Sequence, residues 1–410
     1  MPVLKNISQL AVCPPGPNQQ DAGLISNACL VWRGREVVWT GAYHDLPGEF
    51  AREPVTDCGG RLVVPGLVDC HTHLCFGGWR DGEFNLRIQG ASYQEIAAAG
   101  GGINSTVTAT RGSSLGDLVR TAHGHLDGML SLGITTVECK SGYGLDAENE
   151  FKQLEVYRQL ASQHAMTLVP TFLGAHTVPR EFSNDRNQYV RLLCEDLIPE
   201  IARRRLAVYC DVFVEQGAFT RDEARQVLTA ARASGLGVKV HADQLSDGGG
   251  ASLAAEFGAA SAEHLEYVSE SGIHGLAKAN VVAVSLPIAS MYLRERYMPA
   301  RQLMQAGVAV AVATDFNPGS APSYHLPLAM TLACIHQHMI PAEVLMGATS
   351  VAARAVGMRG VIGSLIPGYR ADFAVIDAPS LDHWLYHFRG NACHAVVKNG
   401  KWVVRGPEAH

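Results

Sequence analysis

Eight short apolar runs rich in β-branched residues recur between about residue 63 and residue 315, at 62–68, 135–139, 167–172, 208–214, 238–241, 261–265, 281–286 and 308–314. Longer stretches with helical spacing separate them. Parallel strands need a crossover between them, and helices supply it, so strict alternation of the two points to βαβ units in one sheet. Eight is the number that closes such a sheet into a (β/α)8 TIM-like barrel.

Helix starts are visible in the same region. Thr220, with Glu223 three residues on, predicts a capping box before a helix that stops at Gly235, and Asp247 before a glycine run marks another start. No period of 20 to 50 residues repeats, which excludes a solenoid.

A barrel uses about 250 residues, so a chain of 410 leaves room for a smaller module. Segments 29–40, 372–377 and 393–404 alternate apolar and polar residues and carry Arg-Gly and Asn-Gly turns. A closed barrel leaves its first and last elements adjacent. The expectation is a small composite β-sandwich from residues 1–62 and 367–410, attached to a barrel spanning 63–366.

Lys and Arg number 33 against 39 for Asp and Glu, a formal net charge of -6 without runs of one sign, which argues against a nucleic-acid partner. The first residues lack a signal-peptide core, and no stretch approaches the roughly 20 apolar residues of a membrane span. The ten cysteines form no C-x-x-C pair, and Cys139 and Cys210 sit inside apolar runs. A reduced, cytoplasmic protein is expected.

Catalytic groups of a parallel barrel lie where its strands end. The first run closes on His71-Thr72-His73, and residues two apart on a strand face one side, so both imidazoles can meet one metal. The third run leads to His176, the fifth ends at His241, the sixth at His264 and the eighth at Asp315. Singly, each histidine reads as an ordinary hydrogen-bonded residue and Asp315 as a helix cap. Together they are best explained by a shared divalent metal. The preferred ligands are His71, His73, His241 and Asp315, with Cys75, of the same parity as His71 and His73, as an alternative. Imidazole and carboxylate donors suit zinc or iron.

The segments VVPGLVDCHTHL, KVHAD and ATDFNPGS resemble the amidohydrolase superfamily, and FGGWRDGEFNLRIQGASYQEIAAAGGGI, ECKSGYGLD and PTFLGAH are similar to the imidazolonepropionases within it. The resemblance runs from about residue 60 to GSLIPGYRADFAVID. It implies metal ligands His71, His73, His241 and Asp315, and substrate contacts from Arg80, Tyr93, Tyr143, His176, Gln244, Asn317, Gly319 and Ser320. Two-metal barrels of this kind use a carboxylated lysine at the end of the fourth strand. That end is Phe213-Val214-Glu215 here, and Lys140 reads as an exposed cation, so one metal is expected.

The implied reaction is hydrolysis of the lactam C–N bond of 4-imidazolone-5-propanoate to N-formimino-L-glutamate. Asp315 would be the base, and His264 a donor to the oxyanion. The implied assembly is a homodimer. Many members of the family carry Glu where this chain has Gln244, which can hydrogen-bond but cannot move protons. The same substitution weighs against a purine or pyrimidine deaminase, and the complete ligand set against a non-catalytic scaffold. Gly100-Gly101-Gly102 lacks the Lys-Ser/Thr of a phosphate loop and reads as a flexible segment able to close over the site.

Overall fold

The chain was analysed as a computed structural model that describes residues 2–91, 95 and 101–406. Its strands form two sheets. The first contains β1 (Val3–Ala11), β2 (Leu24–Arg33), β3 (Glu36–Ala42) and β4 (Val55–Pro65) from one end of the chain. The barrel strands follow: β5 (Leu67–Asp69), β6 (Ile134–Lys140), β7 (Thr167–Ala175), β8 (Tyr209–Val214), β9 (Gly237–Ala242), β10 (Ser261–His264), β11 (Val282–Ser285) and β12 (Val310–Val312). The other end returns β13 (Phe373–Ile376), β14 (Cys393–Lys398) and β15 (Lys401–Val404) to the first sheet, whose order is β15-β14-β13-β4-β1-β2-β3.

Strands β5 to β12 pair in sequence order, all parallel. Just past β5 and β12 the cylinder closes: the His73 amide donates to the Phe316 carbonyl at 2.8 Å, and the Asp315 amide to the His71 carbonyl at 3.1 Å. The buried Asp69 carboxylate reinforces this seam by accepting from the Thr314 amide at 3.2 Å and its hydroxyl at 2.6 Å. These closing bonds place His71, His73 and Asp315 side by side.

The apolar run expected as one strand at 62–68 divides between the two sheets. Leu62 to Pro65 pair antiparallel with β13, while Leu67 to Asp69 pair with β6. The break falls at Pro65-Gly66, and a β-carbon at Gly66 would overlap the Thr135 side chain, so glycine is needed where the chain passes from sheet to sheet. At the far edge, Asn399 and Gly400, with φ of 51° and 75°, make the two-residue turn joining β14 to β15. Trp32, Phe373 and Trp402 meet edge to face beneath it.

Thr220 caps the helix Arg221–Ala233 with the full reciprocal box expected. The start read at Asp247 is displaced. The helix is Gly250–Glu256, and the buried Asp243 carboxylate, not Asp247, accepts from the amides of Gly250 and Ala251. Asp243 follows β9 directly, so it ties the helix to the strand that carries His241.

Candidate metal centre

At the C-terminal mouth of the barrel, His71, His73 and His241 lie with ring centroids 4.6 to 5.5 Å apart, and all three are buried. Asp315 Oδ1 stands 3.2 Å from His71 Nε2 and 3.4 Å from His73 Nε2. Of the four expected ligands, His71, His73 and Asp315 form one metal-sized group, and His241 adjoins it through His71. His264 joins them, 5.3 Å from the His241 ring and 5.7 Å from the His71 ring, and His71, His241 and His264 also form a group able to share an ion.

The donor set fits a cation on physical grounds. Both ring nitrogens of His71, both of His241 and Nδ1 of His73 are buried and without a hydrogen-bond partner. Each such atom costs about 1–3 kcal/mol when unsatisfied. A divalent ion coordinated through one nitrogen of an imidazole would offset the cost at that atom. Burial alone would raise the Asp315 carboxyl, but His71 and His73 outweigh it and hold the group well below the usual carboxylate range. Burial drives the His241 imidazole well below its ordinary value, leaving it neutral as a ligand must be.

Cys75 does not join the group. No metal-sized cluster among the described residues contains a cysteine, and burial pushes its thiol up to about 12, far from the thiolate a metal would need.

Lys140 corrects an expectation. It is fully buried, not an exposed cation, with Nζ 2.8 Å from Glu138, 2.7 Å from Asp211 and 3.3 Å from Glu263. Lys239 lies in the same layer, 3.1 Å from Glu263. Sequence reading missed the other four, Glu138, Asp211, Lys239 and Glu263, although for Lys239 the period of two was available. Lys239 precedes His241 by two on β9 and must share its inward face.

Around the centre, His176 stacks on His73 at 5.1 Å, and Tyr143 lies 5.8 Å from the same ring. Burial, with His73 beside it, takes the His176 imidazole down to about 3. Gln244 is half-buried on the loop after β9. Glu215 holds that loop by accepting from the amides of Leu245 and Ser246 at 2.8 and 3.2 Å. Arg80 is largely buried and donates through Nε and Nη2 to one oxygen of Glu83, at 3.0 and 2.8 Å, while Nη1 abuts Gly319.

Asn317 Oδ1 takes the amides of Gly319 and Ser320, both at 2.8 Å, and its Nδ2 donates to the Asp315 carbonyl at 2.6 Å. The amides of Gly319 and Ser320 and the Asn317 side chain, expected as substrate contacts, are thus engaged within the turn, which braces Asp315. Tyr93 and Gly100 lie outside the described residues.

The amidohydrolase family pattern matches residues 62–403. The chain is 46% identical over 388 residues to the imidazolonepropionase of Geobacillus kaustophilus, covering 94% of this chain and 92% of that protein. It is 47% identical over 389 residues to that of Geobacillus thermodenitrificans, with the same coverage. Among solved structures, 5-methylcytosine deaminase from Klebsiella pneumoniae superposes with a TM-score of 0.76 over 100% of this chain and 98% of its own, at 16% identity, a likeness of fold.

Proposed function

The chain belongs to the imidazolonepropionase family of amidohydrolases, and from that premise we propose that it hydrolyses the lactam C–N bond of 4-imidazolone-5-propanoate, giving N-formimino-L-glutamate. The observation that carries the site assignment is the approach of His71 and His73 to one ionised Asp315 carboxylate, with His241 beside His71 and buried nitrogens without a hydrogen-bond partner on all three imidazoles. His71, His73, His241 and Asp315 would hold a single divalent ion, zinc or iron, since the donor set suits both and contains no thiolate. When bound, the ion supplies Lewis acidity and brings the pKa of a water molecule toward neutrality.

Asp315 takes the proton of the attacking water as oxygen adds to the ring carbonyl. His264 donates to the oxyanion that develops there. As the tetrahedral carbon collapses, Asp315 passes the proton to the departing ring nitrogen and the C–N bond breaks. His176 and Tyr143 wall the ring. Gln244 hydrogen-bonds it without carrying protons, which favours ring hydrolysis over a deaminase that shuttles protons at this position. Arg80 meets the propionate tail, through Nη1 if the Glu83 pair persists. Asn317, Gly319 and Ser320 brace Asp315 and Arg80.

The proposal includes a cytoplasmic homodimer. Ten unpaired cysteines suit a reducing compartment, and a two-fold dimer is the commonest closed assembly. No helix among the described residues is long and apolar enough to cross a membrane. The test is to offer the purified protein fresh 4-imidazolone-5-propanoate and follow loss of its ultraviolet absorbance, with metal content measured on the same sample. Ring opening that survives complete metal removal would overturn the assignment.

A further inference from the structure

The barrel interior directly under the imidazoles is ionic, where a parallel barrel ordinarily packs branched apolar side chains. Glu138 and Lys140 from β6, Asp211 from β8, Lys239 from β9 and Glu263 from β10 are all fully buried. Besides the contacts above, Lys239 Nζ lies 3.4 Å from Glu138 Oε1, Glu138 accepts from the Thr171 hydroxyl at 2.6 Å, and Glu263 from that of Ser261 at 2.8 Å. Three carboxylates face two ammonium groups. Burying such a set is neutral or unfavourable against an apolar filling of the same volume, so stability gives no reason for it.

Its upper edge does. Asp211 Oδ2, which takes the Lys140 ammonium at 2.7 Å, also stands 2.9 Å from His241 Nδ1. Glu263 Oε2, 3.3 Å from the same ammonium, stands 3.2 Å from His71 Nδ1 and 3.5 Å from His241 Nδ1. Two oxygens are therefore shared between one lysine and the rear nitrogens of two imidazoles. These are charge contacts rather than closed hydrogen bonds, and a carboxylate standing behind Nδ1 favours the proton there and leaves the Nε2 lone pair facing forward.

We propose that this layer orients the metal centre: Asp211 and Glu263, fixed by Lys140, are positioning residues that set the tautomer and rotation of His241 and His71. The proposal rests on the ligand roles assigned above to those two histidines. Nothing in it requires contact with substrate.

Asp211→Leu is the decisive variant, because it leaves two carboxylates with two lysines and so a balanced layer. Zn(II) affinity is measured by competition with a chromophoric chelator, and Tm with and without Zn(II). Loss of the rear acceptor should weaken zinc binding about tenfold to a hundredfold. The rise in Tm that zinc confers should shrink with it. Asp211→Asn, which keeps an acceptor oxygen, should recover part of the affinity, and Lys140→Met should loosen zinc as Asp211→Leu does.

A purely structural layer would lower both Tm values together and leave zinc affinity alone. That result, in Asp211→Leu or in Lys140→Met, overturns the proposal. His71→Ala separates the two levels of argument. If it binds zinc as tightly as the unaltered chain, the ligand set is wrong; if it loses zinc while Asp211→Leu retains it, only the orienting layer is wrong.

Discussion

Replacing Gly319 by alanine should move Arg80 without removing its charge. A β-carbon there would fall inside contact distance of Arg80 Nη1. The guanidinium cannot yield freely, because Nε and Nη2 are tied to Glu83 Oε2, and Glu83 Oε1 in turn holds the Gly102 amide at 2.9 Å. With 9% of the Arg80 side chain exposed, a pair with the substrate carboxylate would be largely desolvated, and misplacing it should cost about 2–5 kcal/mol. That corresponds to a loss of at least about thirtyfold in kcat/KM, at about 1.4 kcal/mol per tenfold. Arg80→Met should lose about a hundredfold or more and keep its metal. It also strands Glu83, so its Tm should fall, and adding Glu83→Gln should restore Tm but not turnover. Steady-state loss of substrate absorbance reads the rate, and a tail-less imidazolone supplies the control. If Arg80→Met works normally on the propionate substrate, or the unaltered enzyme takes the tail-less ring equally well, the carboxylate-binding role is refuted.

Three further tests address other parts of the site. Asp315→Asn should lower kcat about 10²- to 10⁴-fold by removing the proton acceptor, and near-normal turnover with metal bound would defeat that role. Gln244→Glu should change the rate little and alter only the edges of the pH profile, since the proposed proton path runs through Asp315 and His264; a large gain in turnover would mean the path is incomplete as drawn. His176 titrates near 3 in the folded chain against about 6.5 unfolded, so between these values only the unfolded chain binds the proton. Its contribution to stability is whole above pH 6.5 and is lost as pH falls, by about 1.4 kcal/mol per unit. His176→Gln should flatten the urea-measured slope between pH 6 and pH 4 by that amount, and an unchanged slope would refute the assignment.

What was legible in the sequence followed from periodicity. The eight barrel strands fall on eight apolar runs because strands buried on both faces must be apolar along their length. His71, His73 and His241 stand out because they interrupt or end such runs. Two kinds of information were not local. The division of 62–68 depends on which partner each half finds, β13 or β6, and a continuous apolar run carries no mark of that choice. The ionic layer was hidden for a related reason. Lys140 next to Ser-Gly reads as the polar end of a strand, and only the approach of Asp211 and Glu263 from strands 71 and 123 residues further along the chain turns it inward.

Strand parity also fails at the two residues assigned to proton transfer, and the backbone accounts for it. Glu263 points into the barrel toward Lys239, so alternation would turn His264 outward against the helices. Instead His264 and Leu265 have φ of 74° and 67°, which rotates the chain and brings the His264 ring back to within 5.3 Å of His241. Asp315 likewise has φ of 58°, directly after Thr314 is pinned to Asp69. His71, His73 and His241, the proposed ligands, need no such distortion. Left-handed backbone at a non-glycine residue costs about 1–3 kcal/mol, and it persists only where neighbours over-determine it. Here they do, through the Leu265 amide on the Ala242 carbonyl at 2.9 Å and the Asp315 amide on the His71 carbonyl at 3.1 Å. Asp and His are among the side chains that tolerate this region best. At the ends of β10 and β12 the left-handed turn thus falls on the groups proposed to face both the metal and the substrate, positions that regular strand geometry cannot reach.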